Sequence, residues 1–239
     1  MLTTFGGGDL PGTLSVVLLV LAVIGAIVLI VTVWGRRRGD TMVAVKATLI
    51  LARLWLIMWS LGAILTVVRA FSADFIELQD PVLMSIDQLP TGGAACEAPS
   101  APPSGPVYLC DNTVYGASLG VHMALMAGTL FVAAAALAIG WAIAVAATQA
   151  IGGEPFHPTV ARTFGVSGLI VLGAGLIGSI LQQLAMNLAV QQLPGGSDEG
   201  VPFYLSLEYW PLLVSLGCFA MAAIFRHGAR LQRETEGLV

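Results

Sequence analysis

Cysteines are the residues of this sequence most capable of chemistry, and two of them lie outside its apolar runs. Cys96 and Cys110 flank a stretch rich in proline. They lack CxxC spacing and have no histidine beside them, which argues against a metal or redox pair. Two thiols that face an oxidising compartment usually pair. We therefore interpret them as a structural disulfide, whose ring closure would contribute about 3 kcal/mol by the chain-entropy relation.

The other reactive side chains do not form a catalytic or metal-binding set. His122, His157 and His227 are widely spaced along the chain and belong to different faces of the predicted topology, so they cannot converge on zinc. No phosphate-binding loop, nucleophile elbow or paired-histidine motif is present. Glu208 and the amides near it are the best candidates for an enzyme site, but the sequence suggests no arrangement in which they would work together. The sequence therefore predicts a non-enzymatic protein with no metal and no cofactor.

The elements that must position these residues are apolar runs. The chain is 57% hydrophobic and only 10% charged, which lies outside the range of soluble domains. About 20 helical residues cross the hydrocarbon core of a membrane. Five runs approach or exceed that length: 14–34, 43–70, 118–148, 164–190 and 212–225. We predict an all-α membrane protein, a bundle of five transmembrane helices. Residues 1–40 would form a tail and an extra helix, and residues 41–239 a four-helix membrane domain.

Sorting of the basic residues predicts the orientation of these helices. No Lys or Arg lies between Phe71 and Ala161, and none lies between Thr163 and Phe225. Cationic residues near a span are retained on the cytoplasmic side. The N-terminus is therefore predicted outside and the C-terminus inside, with a long outer loop, 71–117, between the second and third helices. The first run is followed by Arg36, Arg37 and Arg38, as in an uncleaved anchor rather than a signal peptide. We expect a multi-pass protein of the bacterial cytoplasmic membrane.

Small residues in the fourth run predict close helix packing. Ala174 and Gly178 are four residues apart, as are Gly175 and Ser179. Membrane helices associate through small side chains because lipid provides little hydrophobic drive for their association. The third run has the same spacing at Ala124/Gly128 and at Gly140/Ala144. The third and fourth runs are therefore predicted to pair.

Four arginines are candidate contacts for a partner or for lipid. Arg226, Arg230 and Arg233 are spaced to share one helical face, which would dock a partner or touch anionic headgroups. Arg53 lies within the second run and is a candidate intramembrane functional charge. Its closeness to Lys46 favours the simpler interpretation, in which its aliphatic stem lets the charge reach the headgroups.

The C-terminal sequence FRHGARLQRETEGLV and the segment Gly153-Glu154-Pro155-Phe156, followed by Arg162, resemble a known family. These are small bacterial membrane proteins catalogued as "domain of unknown function 2975". The resemblance covers about residues 46–239, and the extra first run departs from it. The family has no established activity. Its members are often encoded beside a small helix-turn-helix regulator, which implies a partner at the inner face.

Binding of a partner is the function that we favour from the sequence. The partner would be another membrane subunit or the cytoplasmic regulator, and no direct binding of nucleic acid is expected. A small transporter or permease component is the alternative. Transporters usually place charges at the membrane midplane and contain internal repeats. This chain has no acid inside a run and no evident repeat; Arg53 and a glutamine cluster near Gln182 are its only polar candidates.

Overall fold

A computed structural model describes residues 42–72, 75–77, 107–110, 113–193 and 208–236. The predicted first helix lies outside the described residues, as do Cys96 and most of the long loop. Cys110 ends a described strand, but its side chain is not described, so the disulfide stays a prediction. Four helices occur in the described ranges: α1 (Met42–Ser72), α2 (Leu119–Ile151), α3 (Pro158–Gln191) and α4 (Trp210–Glu236).

All four helices are long and apolar enough to cross a membrane. They correspond to the second to fifth apolar runs. α1 and α2 extend only a few residues beyond their runs, whereas α3 begins earlier and α4 ends much later than its run. α4 extends furthest, because the helix continues through Arg226 to Glu236 after its apolar part ends. The prediction of a mainly helical, multi-pass membrane protein is therefore confirmed for the described part of the chain. The fifth helix and the inside–outside orientation stay predictions.

Three short strands were not expected from the sequence, which had indicated helices and loops alone. They are β1 (Phe75–Glu77), β2 (Tyr108–Cys110) and β3 (Thr113–Tyr115), three residues each, in the order β1-β3-β2 with antiparallel pairs. Ile76 pairs with Val114, and both side chains are buried. Because three residues are too few to show a reliable period of two, the pattern alone could not reveal these strands.

The turn between α2 and α3 has a well-defined local cause. Gly153 adopts φ +84°, a left-handed conformation that glycine tolerates without steric cost. Its N–H donates to Ala150 O at 3.3 Å, and the N–H of Glu154 donates to Gln149 O at 3.1 Å. This pair of bonds is a Schellman cap, which ends α2. α3 then begins at Pro158, whose missing N–H costs nothing in a first turn.

The described residues divide into two compact units. The first unit comprises described parts of Met1–Met58, Ile139–Ser167 and Cys218–Val239; the second comprises those of Trp59–Ala138 and Gly168–Gly217. In the second unit, the sheet packs on the helices through one cluster of buried side chains. The members of this cluster are Ile76, Val114, Val121, Ala185, Met186, Ala189, Val190 and Leu193.

Candidate functional site

In the first unit, the end of α4 carries the most concentrated charge of the described chain. Arg226, Arg230 and Arg233 are spaced four and three apart, so they lie on one side of the helix. A cavity of about 510 Å³ lies along them. We call it the arginine groove; its lining residues are Pro158, Ala161, Arg226, Ala229, Arg230, Arg233 and Glu234.

One of the three arginines in the groove is engaged by an acid. The Nε of Arg230 donates to Oε1 of Glu234 at 2.9 Å, and these side chains are 78% and 57% exposed. An exposed pair of this kind contributes little to stability, because water screens it. Among the described side chains, the guanidinium groups of Arg226 and Arg233 form no ion pair or hydrogen bond. The groove therefore keeps a net charge of +2, carried by guanidinium groups that remain available to a ligand.

The floor of the groove is apolar and held in place by aromatic rings. Pro158, Ala161 and Ala229 supply the floor. Beside it, the ring of Phe225 stacks on Phe164, with centroids 5.6 Å apart and planes at 16°. Phe225 also meets Phe156 from the α2–α3 turn, at 6.2 Å and 54°. These contacts fix the start of α3 against α4, so the groove is a formed feature of the first unit.

Gly228 allows the turn to approach α4 closely. A Cβ placed on this glycine would overlap the ring of Phe156 at Cδ1 and Cε1. The segment Gly153-Glu154-Pro155-Phe156, noted in the sequence for its resemblance, therefore lies against the C-terminal segment noted for the same reason.

In the second unit, a carboxylate binds the start of α4 to α3. Oε2 of Glu208 accepts hydrogen bonds from Nε1 of Trp210 at 2.6 Å and from the hydroxyl of Ser179 at 3.2 Å. Ser179 also donates to Gly175 O at 3.0 Å, so its single proton is shared between two acceptors. Glu208 thus acts as an acceptor that joins the start of α4 to α3.

Amides near the end of α3 form hydrogen bonds between helices. Nε2 of Gln182 donates to Oγ1 of Thr129 at 3.2 Å. Gln192 contacts Ser118 twice: its Oε1 accepts from the Ser118 N–H and its Nε2 donates to the Ser118 hydroxyl, both at 2.8 Å. Ser118 immediately precedes α2, so Gln192 satisfies a donor at the start of that helix. These contacts explain Gln182 and Gln192 as structural connections.

The structure assigns the predicted small residues to different neighbours. Gly178 faces Gly128 and Val132 of α2, whereas Gly175 faces Pro211 of α4. Ser179 is 4% exposed and makes the bonds described above, and Ala174 is half-buried.

Two further predicted contacts lie in the first unit. Gly140, expected to face α3, lies instead against Trp55 and Leu56 of α1. Arg53 is exposed on α1 and is not among the lining residues of the arginine groove. The structure therefore brings together three of the four candidate arginines.

Sequence reasoning did not identify the floor of the groove. Pro158, Ala161 and Ala229 are small or apolar residues without a recognisable motif, and only packing makes them neighbours of the arginines. Glu234 could have been found, because an acid four residues after Arg230 is the spacing of a helical ion pair.

α1 is the least covered of the described helices. Only 6% of its most apolar stretch is buried, compared with 33% in α2 and 39% in α3. Every third or fourth residue along one side is a large, exposed aliphatic side chain. We call this side the α1 seam; its members are Ile50, Leu54, Ile57, Leu61, Ile64 and Val68, all at least 53% exposed.

Comparisons with protein-family models, with curated proteins and with solved structures find no match for this chain. The resemblance drawn from the C-terminal segment therefore stays a prediction.

Proposed function

We propose that this chain is a non-enzymatic, multi-pass protein of the bacterial cytoplasmic membrane that works by binding another membrane subunit. In this proposal it has five transmembrane helices, with the N-terminus outside and the C-terminus inside. The observation that carries the proposal is the α1 seam. A membrane helix with a regular stripe of exposed, large side chains from Ile50 to Val68 offers a continuous surface to a neighbouring helix.

The spacing of the seam matches a helix–helix contact. Its residues follow one another at intervals of four, three, four, three and four. Alternating intervals of four and three repeat every seven residues, and such a repeat keeps one stripe in register with a partner over many turns, as in left-handed coiled coils. Most bundles of transmembrane helices use this left-handed geometry. From Ile50 to Val68 the stripe rises about 27 Å, at about 1.5 Å per residue, which is close to the thickness of the hydrocarbon core.

The opposite side of α1 supports the same interpretation. Ala52 is 5% exposed, and Trp55 lies against Gly140 of α2, so this side already packs on the chain. A second exposed stripe, with Leu51, Met58 and Leu65, lies beside the seam. The chain's own first apolar run can cover one of two stripes, which leaves the other for a partner.

Photo-crosslinking in native membranes tests this proposal. A photoreactive residue at Ile57, which is 63% exposed, should yield a covalent product with another polypeptide. The same residue at Ile224 of α4, which is 60% exposed, is the matched control and should yield lipid adducts alone. Products that join position 57 only to residues 14–34 of the same chain would contradict the proposal, as would identical products from both positions.

The regulator implied by the resemblance is the second form of a partner. It would need the end of α4, the described helix with the most extensive polar continuation. Deletion of residues after Phe225 would abolish capture of such a regulator and leave the crosslink at position 57 intact. The transporter alternative gains no specific support from the described contacts, because the amide of Gln182 is engaged with Thr129 of α2.

A further inference from the structure

We infer that the arginine groove binds the phosphate of an anionic phospholipid, taken from the leaflet that surrounds the C-terminal half of α4. Arg226 and Arg233 supply the charge, and Pro158, Ala161 and Ala229 supply a surface for the glycerol and the first acyl carbons. This inference concerns a lipid site on α4, so it goes beyond the protein partner proposed for α1 and does not depend on it.

The length of α4 places the groove at the depth of lipid phosphates. Trp210 begins the helix, and an aromatic residue of this type marks a membrane interface. About 20 residues further on, at Arg230, the helix has crossed a core of about 30 Å. The headgroup layer adds roughly 5–7 Å on each side, or about four residues at about 1.5 Å each. Arg230 and Arg233 therefore lie in that layer.

Arg226 lies one turn deeper and reaches the same layer through its stem. A long arginine side chain extends along apolar surface while its guanidinium stays at the polar boundary. Arg226 and Arg233 are seven residues apart, so they lie on the same side of the helix, about 10 Å from each other along its axis. Two guanidinium groups that have no ion pair among the described side chains thus flank the cavity, one near the hydrocarbon and one near water.

The chemistry of the groove favours a phosphate diester attached to apolar groups. A guanidinium group presents a planar pair of donors that matches two phosphate oxygens. Glu234 is the one acid of the lining, and it already pairs with Arg230, so its repulsion of an anion is partly neutralised. A free phosphate ion would gain nothing from the alanine and proline floor, whereas the ester end of a phospholipid would cover it.

An acidic protein segment could also pair with the arginines of the groove. The apolar floor of the groove favours a lipid over such a segment. Carboxylates pair with exposed arginines in water without needing an apolar surface beneath them. The groove instead combines three cationic side chains with three apolar ones at the depth where lipid is the surrounding solvent. Basic pockets between membrane helices bind anionic headgroups in this way.

Lipid titration of the full-length protein in detergent tests the inference. Native mass spectrometry would measure binding of dioleoyl phosphatidylglycerol, with dioleoyl phosphatidylcholine as the zwitterionic reference. We expect preferential binding of phosphatidylglycerol, and a loss of roughly thirtyfold in its affinity in the double variant Arg226→Gln/Arg233→Gln. Arg162→Gln is the matched control, because Arg162 is exposed near the start of α3 but does not line the groove. It should retain the affinity.

A second variant separates the floor from the charge. Ala229→Phe fills the groove without removing an arginine, and it should also weaken binding of phosphatidylglycerol. Equal binding of both lipids, an equal loss in Arg162→Gln, or no effect of Ala229→Phe would each overturn the inference. If millimolar inorganic phosphate displaced phosphatidylglycerol, the claim that the groove selects the phosphate of a lipid would be overturned. Arginine-dependent binding of a polyglutamate peptide without binding of phosphatidylglycerol would make the groove a protein dock instead.

Discussion

Gly178 of α3 faces Gly128 of α2 so closely that a Cβ built on Gly178 would lie 2.8 Å from the carbonyl oxygen of Gly128. A Cβ on Gly128 would meet Gly178 O and the Gln182 backbone nitrogen, each at 2.9 Å. In both directions the obstacle is the backbone of the neighbouring helix, which cannot rotate away as a side chain can. The spacing of these two helices in the second unit therefore depends on having no side chain at this crossing.

The first prediction concerns this crossing. Gly178→Ala should lower the free energy of unfolding by about 1–3 kcal/mol, because overpacking forces the two backbones apart. Gly173→Ala on the same helix is the control: a Cβ there meets nothing within 4 Å. Thermal unfolding in detergent, followed by circular dichroism, measures the difference. Equal midpoints for the two variants would show that the close crossing does not contribute to stability.

The second prediction concerns the contact between Gly228 and Phe156 in the first unit. Gly228→Ala displaces the ring of Phe156, whereas the same change in a Phe156→Ala background meets no ring. A double-mutant cycle should therefore give a coupling energy of about 1 kcal/mol or more. In the background without the ring, the alanine should stabilise α4 by up to about 1 kcal/mol through helix propensity. Additive effects would contradict the packing described here.

The third prediction concerns the acceptor role of Glu208. Glu208→Ala leaves the indole N–H of Trp210 without its acceptor and should lower the free energy of unfolding by about 1 kcal/mol. Glu208→Gln keeps a carbonyl oxygen in place and should cost less than half as much. Chemical unfolding, followed through tryptophan fluorescence, separates the two variants. If both cost the same, the negative charge matters and the hydrogen bond does not.

The fourth prediction concerns the connection between Gln192 and Ser118. Gln192→Leu removes both contacts with Ser118 and should destabilise the protein by about 1 kcal/mol, since the site is exposed to water. Gln192→Glu is the matched variant, because its two oxygens can accept from the N–H and from the hydroxyl. A negative charge at a helix N-terminus is also favourable. A glutamate variant as unstable as the leucine variant would refute this capping role.

The fifth prediction concerns the three cysteines of the chain. Without reductant, maleimide should label one thiol per denatured molecule, Cys218; after reduction it should label three. Cys218 is buried in the folded protein, so denaturation is needed to expose it. Labelling of three thiols before reduction would exclude the disulfide between Cys96 and Cys110.

The same cysteine also tests the predicted orientation. After mild reduction of intact cells, a membrane-impermeant maleimide should label Cys96, and failure to label it would contradict an outer location of the loop.

Local order in the sequence was sufficient to locate the described helices, although α3 begins before its apolar run and α4 continues after its apolar run ends. The apolar runs predicted all four described helices, because a helix must be long enough to cross the hydrocarbon core and the length of an apolar run can be read from the sequence. Gly153 and Pro158 have the backbone conformations required in the turn after α2 and at the start of α3, but the apolar runs alone did not place those ends. The three strands were not predicted, because their stability comes from pairing between segments that are distant in the chain.

The partners of individual residues came from tertiary structure alone. Small-residue spacing indicated that Gly140 packs closely on another helix, yet its neighbour is Trp55 of α1. A repeat of four identifies a helical face and carries no information about which helix covers it. The arginine groove illustrates the same point: the spacing of Arg226, Arg230 and Arg233 was visible in the sequence, whereas Pro158 and Ala161 became their neighbours through packing.

The sequence by itself therefore determined which stretches of the described chain form helices apolar enough to cross a membrane, since hydropathy acts over neighbouring residues. It did not determine where α3 begins or where α4 ends. Only the tertiary structure decided that Gly178 meets Gly128, that Glu208 joins α3 to α4, and that the arginines border a cavity with an apolar floor. Such contacts depend on distances between residues far apart in the chain, and those distances are set by how side chains of many helices fit together at once.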